Sequence, residues 1–215
     1  EKAFYLAASG RPGPCWLDIP LNIQAADIDP NEQLTFDPSE ITEIWEKTPN
    51  ITNYCIDILE RIRNSERPVI YAGSGVRLSG AHDDFINLVN KLGVPVVSAW
   101  NAHDVICDSH SQYIGRPGTV GDRAGNFAVQ NADLLLILGS RLNIRQVSYN
   151  WDSFAKNSQK IWIDVDEAEM NKPTVKADLK ICADLGYLLP ALVQLAQNEV
   201  NTKHQEWTLW CMERR

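Results

Sequence analysis

From residue 51 onward the apolar positions keep two alternating rhythms. Ile51, Tyr54, Cys55, Ile58, Leu59 and Ile62 recur at helical spacing and predict an amphipathic helix ending before Arg67-Pro68. Phe85, Leu88, Val89 and Leu92 predict a second, closed by Gly93. Between and beyond them stand short continuous apolar runs, residues 69–72, 95–100 ("PVVSAW"), 133–138 ("DLLLIL"), 160–166 ("KIWIDVD") and 179–183 ("LKICA"). Such runs read as strands buried on both faces. Residues 123–131 predict a short helix, and "LGYLLPALVQLAQ" from residue 185 a longer one that Pro190 should kink or reset. Residues 73–80, 103–122 and 139–143 read as loops.

About five buried strands alternating with helices between residues 68 and 184 define the expected fold class, α/β, with a doubly wound, mostly parallel sheet and helices on both faces. The first fifty residues do not join this rhythm. "EKAFYLAA" reads as the last turns of a helix, residues 15–19 (Cys-Trp-Leu-Asp-Ile) as a buried strand between Pro14 and Pro20, and residues 22–36 as a polar linker. Asp37-Pro38-Ser39-Glu40 offers an N-cap, a first-turn proline and a first-turn acid for a helix to follow.

Composition adds exclusions. A hydrophobic share of 44% with 22% charged residues suits a globular chain. The formal net charge of −8 argues against a nucleic-acid partner, which calls for clustered Lys and Arg. No run approaches the roughly 18 apolar residues of a membrane span, and the first residues carry no secretory pattern. The five cysteines are scattered without a C-x-x-C pair and read as reduced, buried thiols of a cytoplasmic protein. The four histidines lack ligand spacing, so no metal site is expected from them.

Ligands of such sheets bind at the carboxyl ends of the strands, which points to four loops. Gly73 and Gly75 follow a strand and precede a helix, where glycine lets a backbone approach a phosphate; Leu78 stands where a third fingerprint glycine would fall. A bare strand–helix turn is the alternative. Arg141 and Arg145 follow Gly139 at a spacing of four and suit phosphate as planar donor forks, unless they pair with acids such as Asp152. Asp164 ends the next strand, where a carboxylate can accept from a ribose diol. No nucleophile elbow, P-loop, H-E-x-x-H or triad appears, so no catalytic residue is assigned.

The ordered set "GRPGPCWLDIPLNIQ", "RPVIYAGSGV", "LGVPVV", "NADLLLILGSRLNIR", "IWIDVDEAEMNK", "ADLKICADLGYLL" and "HQEWTLWCMERR" resembles the thiamine-diphosphate-dependent enzymes of the acetolactate synthase type, over nearly the whole chain. The resemblance implies that residues 1–21 are the C-terminal remnant of a pyrimidine-binding domain, 22–50 a linker and first helix, 51–198 a Rossmann-like central domain, and 199–215 the start of a linker to a diphosphate-binding domain. It further implies an enzyme acting on 2-oxo acids by carboligation or decarboxylation, a homodimer or homotetramer, with thiamine diphosphate and Mg2+ held by domains outside this stretch. The central domain itself would be non-catalytic and structural, and would hold FAD through Gly73, Gly75, Arg141, Arg145, Asp164 and Asp184.

The stretch departs from that family at Ala99-Trp100, where a threonine–leucine pair is usual, and in the loop "GRPGTVGDRAGN", where Arg116 and Arg123 are unusual. FAD, another nucleotide and a purely structural sheet edge all stay open, as do a free-standing nucleotide-binding module and an assembly domain.

Overall fold

The computed structural model describes residues 1–41, 50–196 and 202–215. The chain divides into two units, Glu1–Glu46 and Lys47–Arg215.

In the first unit, helix α1 (Lys2–Ala8) forms as expected and buries none of its residues. The Phe36 amide donates to the Glu1 carboxylate at 2.9 Å, and the Phe36 ring lies 5.3 Å from that of Tyr5. Residues 15–19 are not a strand: they are irregular, with Trp16 91%, Leu17 68% and Ile19 51% exposed. The physical reason is the lack of a partner. An extended segment satisfies its backbone groups through a neighbouring strand, and this unit supplies none among its described residues. The short helix α2 (Leu21–Gln24) follows, tied back by the Gln24 amide donating to the Ile19 carbonyl at 2.7 Å. Asp37 caps a 3-10 turn at Pro38–Glu40 by accepting from the Ser39 amide. The helix expected beyond it falls on residues 42–49, outside the described residues.

The second unit opens with α3 (Ile51–Asn64), whose buried side chains are Cys55, Ile58, Leu59 and Ile62, four of the six positions of the helical stripe. Then come β1 (Pro68–Ala72), α4 (Gly75–Leu78), α5 (His82–Leu92), β2 (Val96–Ser98), β3 (Tyr113–Gly115), α6 (Arg123–Asn131), β4 (Leu134–Leu138), α7 (Ile144–Val147), β5 (Gln159–Asp164), α8 (Glu167–Asn171), β6 (Leu179–Cys182), α9 (Leu185–Leu195) and α10 (Gln205–Met212). The six strands form one parallel sheet in the order β3-β2-β1-β4-β5-β6. This is the doubly wound α/β class that the buried runs predicted. Gly93 ends α5 at φ 63°, a left-handed cap that glycine adopts without strain.

Further expectations about elements fail: the 73–80 stretch, read as a loop, contains the one-turn helix α4, and two more fail for local reasons. The 103–122 stretch, read as a loop, contains β3, the sixth strand. Only Tyr113 and Ile114 of its three residues are large and apolar, and its register against β2 shifts between Val96 and Val97. A period-2 signal cannot show in three residues. Pro190 also fails to break α9, which runs unbroken from Leu185 to Leu195. A mid-helix proline costs about 3 kcal/mol. Burial of Leu185, Leu188, Leu189 and Leu192, worth roughly 1.5–3 kcal/mol each, offsets it.

The central strands β1 and β4 are apolar throughout and buried at every position because helices cover the sheet: α3 and α5 pack with α9, and α6 packs with α10. Leu134 to Leu138 and Ile161 to Ile163 are each at most 1% exposed. The N-terminal edge is closed by the α10 region. There the Trp207 indole donates to the Pro68 carbonyl at 3.0 Å, the Thr208 hydroxyl to the Gly93 carbonyl at 3.0 Å, and His204 Nε2 bonds the Ser65 carbonyl at 3.0 Å. Burial lowers the His204 pKa, so its ring stays neutral against the sheet. The opposite edge, where all six strands end, is left to loops.

Candidate functional site

Strand order reverses between β1 and β4, and the loops that leave these two strands meet there. The Gly73 amide donates to the Leu138 carbonyl at 2.8 Å, and the Gly75 amide to the Gly139 carbonyl at 3.0 Å. The approach is so close that a Cβ at Gly73 would lie 2.1 Å from the Gly139 carbonyl oxygen, and one at Gly75 2.6 Å from the Gly139 Cα. Gly139 itself has φ 57°. The glycine pair that the sequence suggested for a phosphate is thus already required by the crossing of two backbones. That space is filled by protein.

Beyond Gly139 the chain carries both arginines. Ser140 is 2% exposed; its carbonyl accepts from the Trp162 indole at 2.9 Å, while its hydroxyl has no partner among the described residues. A buried hydroxyl without a partner costs about 1–3 kcal/mol, so its position at a sheet's ligand edge is informative. Arg141 is paired with Glu169, at 2.5 Å, and not with Asp152. Glu169 is partly buried and also holds Lys172 at 3.1 Å; the Lys172 ammonium donates to the Arg141 carbonyl and lies 5.5 Å from the Trp162 ring centre. Leu142, buried and at φ 46°, makes a strained turn that separates Arg141 from the helix that follows.

That helix, α7, starts at a capping box. The Asn143 side chain accepts from the Arg145 amide at 3.0 Å, and the Gln146 side chain accepts from the Asn143 amide at 2.9 Å. The N-x-x-Q pattern at 143–146 is a sequence signal for this start that the loop reading passed over. Arg145 is exposed, and its guanidinium has no ion pair among the described residues. Its carbonyl accepts from the Thr119 amide at 2.8 Å, which brings the 115–122 loop against α7.

The two acids hold backbone. Asp164, 6% exposed at the end of β5, accepts from the Asp166 amide at 3.0 Å, and Asp166 in turn caps α8. Asp184 caps α9 by accepting from the Gly186 amide at 2.8 Å. All six residues singled out from the sequence therefore stand at the carboxyl ends of strands or in the turns and first helical turns after them: the glycines after β1, the arginines after β4, the acids at the end of β5 and after β6.

On the β2 side, Trp100 is half-exposed and meets the His103 ring edge-on at 6.4 Å. Arg116 donates to His103 Nδ1 at 2.7 Å, while Arg77 is held by Asp104 at 3.0 Å. The cysteine expectation needs correcting. All five are free, but only Cys55 and Cys211 are buried, and Cys15, Cys107 and Cys182 are exposed, because strand ends and loops supply fewer covering groups than their apolar neighbours suggest. Burial and then the carboxylates of Glu167, Asp164 and Asp166 push the Cys182 thiol up, which disfavours the reactive thiolate. Among the described residues, no three His, Cys, Asp or Glu side chains gather as metal ligands, and no helix is long and apolar enough to cross a membrane.

Comparison with known proteins matches this unit to a family. The model of the thiamine pyrophosphate enzyme central domain matches residues 56–192. The chain is 36% identical over 216 residues to the acetolactate synthase large subunit of Lactococcus lactis subsp. lactis, covering 96% of this chain and 35% of that protein. It is 30% identical over 208 residues to a probable acetolactate synthase large subunit of Methanococcus aeolicus, with 96% and 34% covered. The isozyme 3 large subunit of Escherichia coli K12 is 30% identical over 202 residues, with 93% and 34% covered. The chain thus spans about a third of the length of these relatives. With its parallel six-stranded sheet and this match, the chain belongs to the thiamine pyrophosphate enzymes, as their central domain.

Proposed function

We propose that this chain is the non-catalytic central domain of an acetolactate-synthase-like enzyme of the cytoplasm. The parent would join or cleave 2-oxo acids, with thiamine diphosphate and Mg2+ held outside this stretch, as a homodimer or homotetramer. Thiamine diphosphate supplies the electron sink for such chemistry when bound. One observation carries the reading: relatives named acetolactate synthase align with 96% of the chain while it covers only 35% of their length. On the same reading residues 1–21 complete a preceding domain, 22–50 connect it, 51–198 are the central domain and 199–215 lead onward.

A nucleotide, FAD first, is proposed for the carboxyl edge between β1 and β4. The residues there fit such a group. Among the described residues Ser140 offers a buried, unpartnered hydroxyl and Arg145 an exposed guanidinium with no ion pair, while farther along the same edge, after β5 and β6, Asp164 and Asp184 offer carboxylates for a diol. Arg141 joins them only by sharing its fork with Glu169, and Gly73 and Gly75 serve by drawing the two loops together.

Two measurements test this. The full-length protein should form a 2-oxo-acid ligation or decarboxylation product only with thiamine diphosphate and Mg2+, and the 215-residue chain alone should form none; activity of the isolated chain would sink the division of labour. FAD titrated into the chain should quench its flavin fluorescence in wild type and far less in Arg145→Ala. An unchanged spectrum in wild type would remove the nucleotide from the proposal and leave a structural edge.

A further inference from the structure

A second group of cationic side chains gathers away from the β1–β4 crossing. It lines a cavity of about 340 Å3 bounded by the end of β3, the first turn of α6 and the residues after α10. Arg116, Arg123, Arg214 and Arg215 face it together with Asp108 and Asp122. Four guanidinium groups against two side-chain carboxylates reverse the local side-chain charge of a chain whose formal net charge is −8. No lysine contributes.

Three of the arginines are held in place by aromatic rings. Arg123 lies over the Phe127 ring at 5.1 Å and Arg214 over the Trp210 ring at 3.6 Å. Arg215 lies 5.5 Å from the Tyr113 ring centre and donates to the Tyr113 carbonyl at 3.3 Å. Stacking on an aromatic face fixes a guanidinium while leaving donors along its edge. Arg214 has Glu213 at 3.8 Å and donates to the Trp210 carbonyl at 2.7 Å, and Arg116 has Asp122 at 3.7 Å beside its bond to His103. Arg123 and Arg215 have no ion pair among the described residues.

The helix end adds to the field. Asp122 stands at the N-cap of α6 but makes no capping bond there; its carboxylate instead accepts from the Arg116 amide at 2.7 Å. Asp122 thus gives no side-chain acceptor to the first-turn amides of this nine-residue helix, which present the positive end of the dipole.

We propose that this cavity binds the phosphate of a small phosphate-bearing molecule, with Arg123 and Arg215 as its principal donors, Arg116 beside them and the α6 first turn beneath. A tetrahedral polyanion has enough oxygens to use forks arriving from three elements, whereas a single planar carboxylate is satisfied by one fork. The volume, at the lower end of the range for small-molecule sites, suits such a ligand. The site is independent of the nucleotide proposed at the β1–β4 edge.

Calorimetric titration of the full chain with pyrophosphate, at fixed ionic strength, tests it. Saturable binding at one site is expected. The double variant Arg123→Ala, Arg215→Ala should weaken it about tenfold or more, since each loses a charge-assisted hydrogen bond. The charge-matched control Arg61→Ala, Arg63→Ala, on α3, should leave binding unchanged. Both pairs are on the surface, and a thermal melt of each variant checks that the fold survives. Absence of saturable binding, or equal weakening by the two pairs, overturns the site and leaves general charge attraction. Tighter binding of citrate than of pyrophosphate overturns the phosphate assignment.

Discussion

Leu134–Leu138 and residues 15–19 are both short apolar runs, yet the first is at most 1% exposed and the second exposes Trp16 to 91%. β4 lies between β1 and β5, so both of its edges have ladder partners and helices cover its faces. Residues 15–19 have neither ladder nor cover among the described residues. The contrast shows what apolar content does. It makes burial favourable by roughly 25 cal/mol per Å2, but it cannot supply the hydrogen-bonding partner without which a strand does not form.

The largest effect tests the buried member. Leu136→Ala should destabilise the chain by about 2–5 kcal/mol, read as a lower urea midpoint at unchanged slope. A loss under about 1 kcal/mol would mean that β4 is not the closely packed centre of the sheet. Next is the end of the same sheet. Gly73→Ala places a methyl 2.1 Å from a backbone oxygen and should cost about 1–3 kcal/mol, because neither loop can move without breaking its bonds to the other strand. If this substitution proved neutral, the two loops would not cross as closely as described, and the glycines would be available to a ligand after all. The smallest effect concerns the exposed member. Trp16→Ser should shift the stability of the 215-residue chain by no more than about 0.5 kcal/mol. In the full-length protein, if residues 15–19 complete a neighbouring sheet, the same substitution should cost about 3 kcal/mol or more. A neutral result in both would retire that assignment.

Much of the fold is legible in the sequence. The α3 stripe and the Arg123–Asn131 helix follow from helical spacing, and the buried runs of β1, β4 and β5 from unbroken apolar stretches. β3 was not legible, because two large apolar residues define no period and its position depends on pairing with β2. The candidate site is legible in the place of its residues but not in the partners they take. All six candidates stand at the carboxyl edge, yet the glycines are consumed by the crossing with Gly139, and Arg141 pairs with Glu169 rather than Asp152. Ser140 carries no signal in the sequence, because its burial without a partner among the described residues is a property of its surroundings.

The order of the longer helices α3, α5, α6 and α9 and of strands β1, β2, β4, β5 and β6, and through it the sheet class and its carboxyl edge, was set by the sequence alone, because hydrophobic period acts between residues a few positions apart. Partnership was decided only by the tertiary structure: which apolar run finds a neighbouring strand, which acid reaches Arg141, and which arginines meet around one cavity. Hydrogen bonds and ion pairs act over about 3 to 4 Å in space, and separation along the chain carries no information about that distance. The same apolar alphabet therefore builds the centre of a sheet at β4 and an exposed segment at residues 15–19.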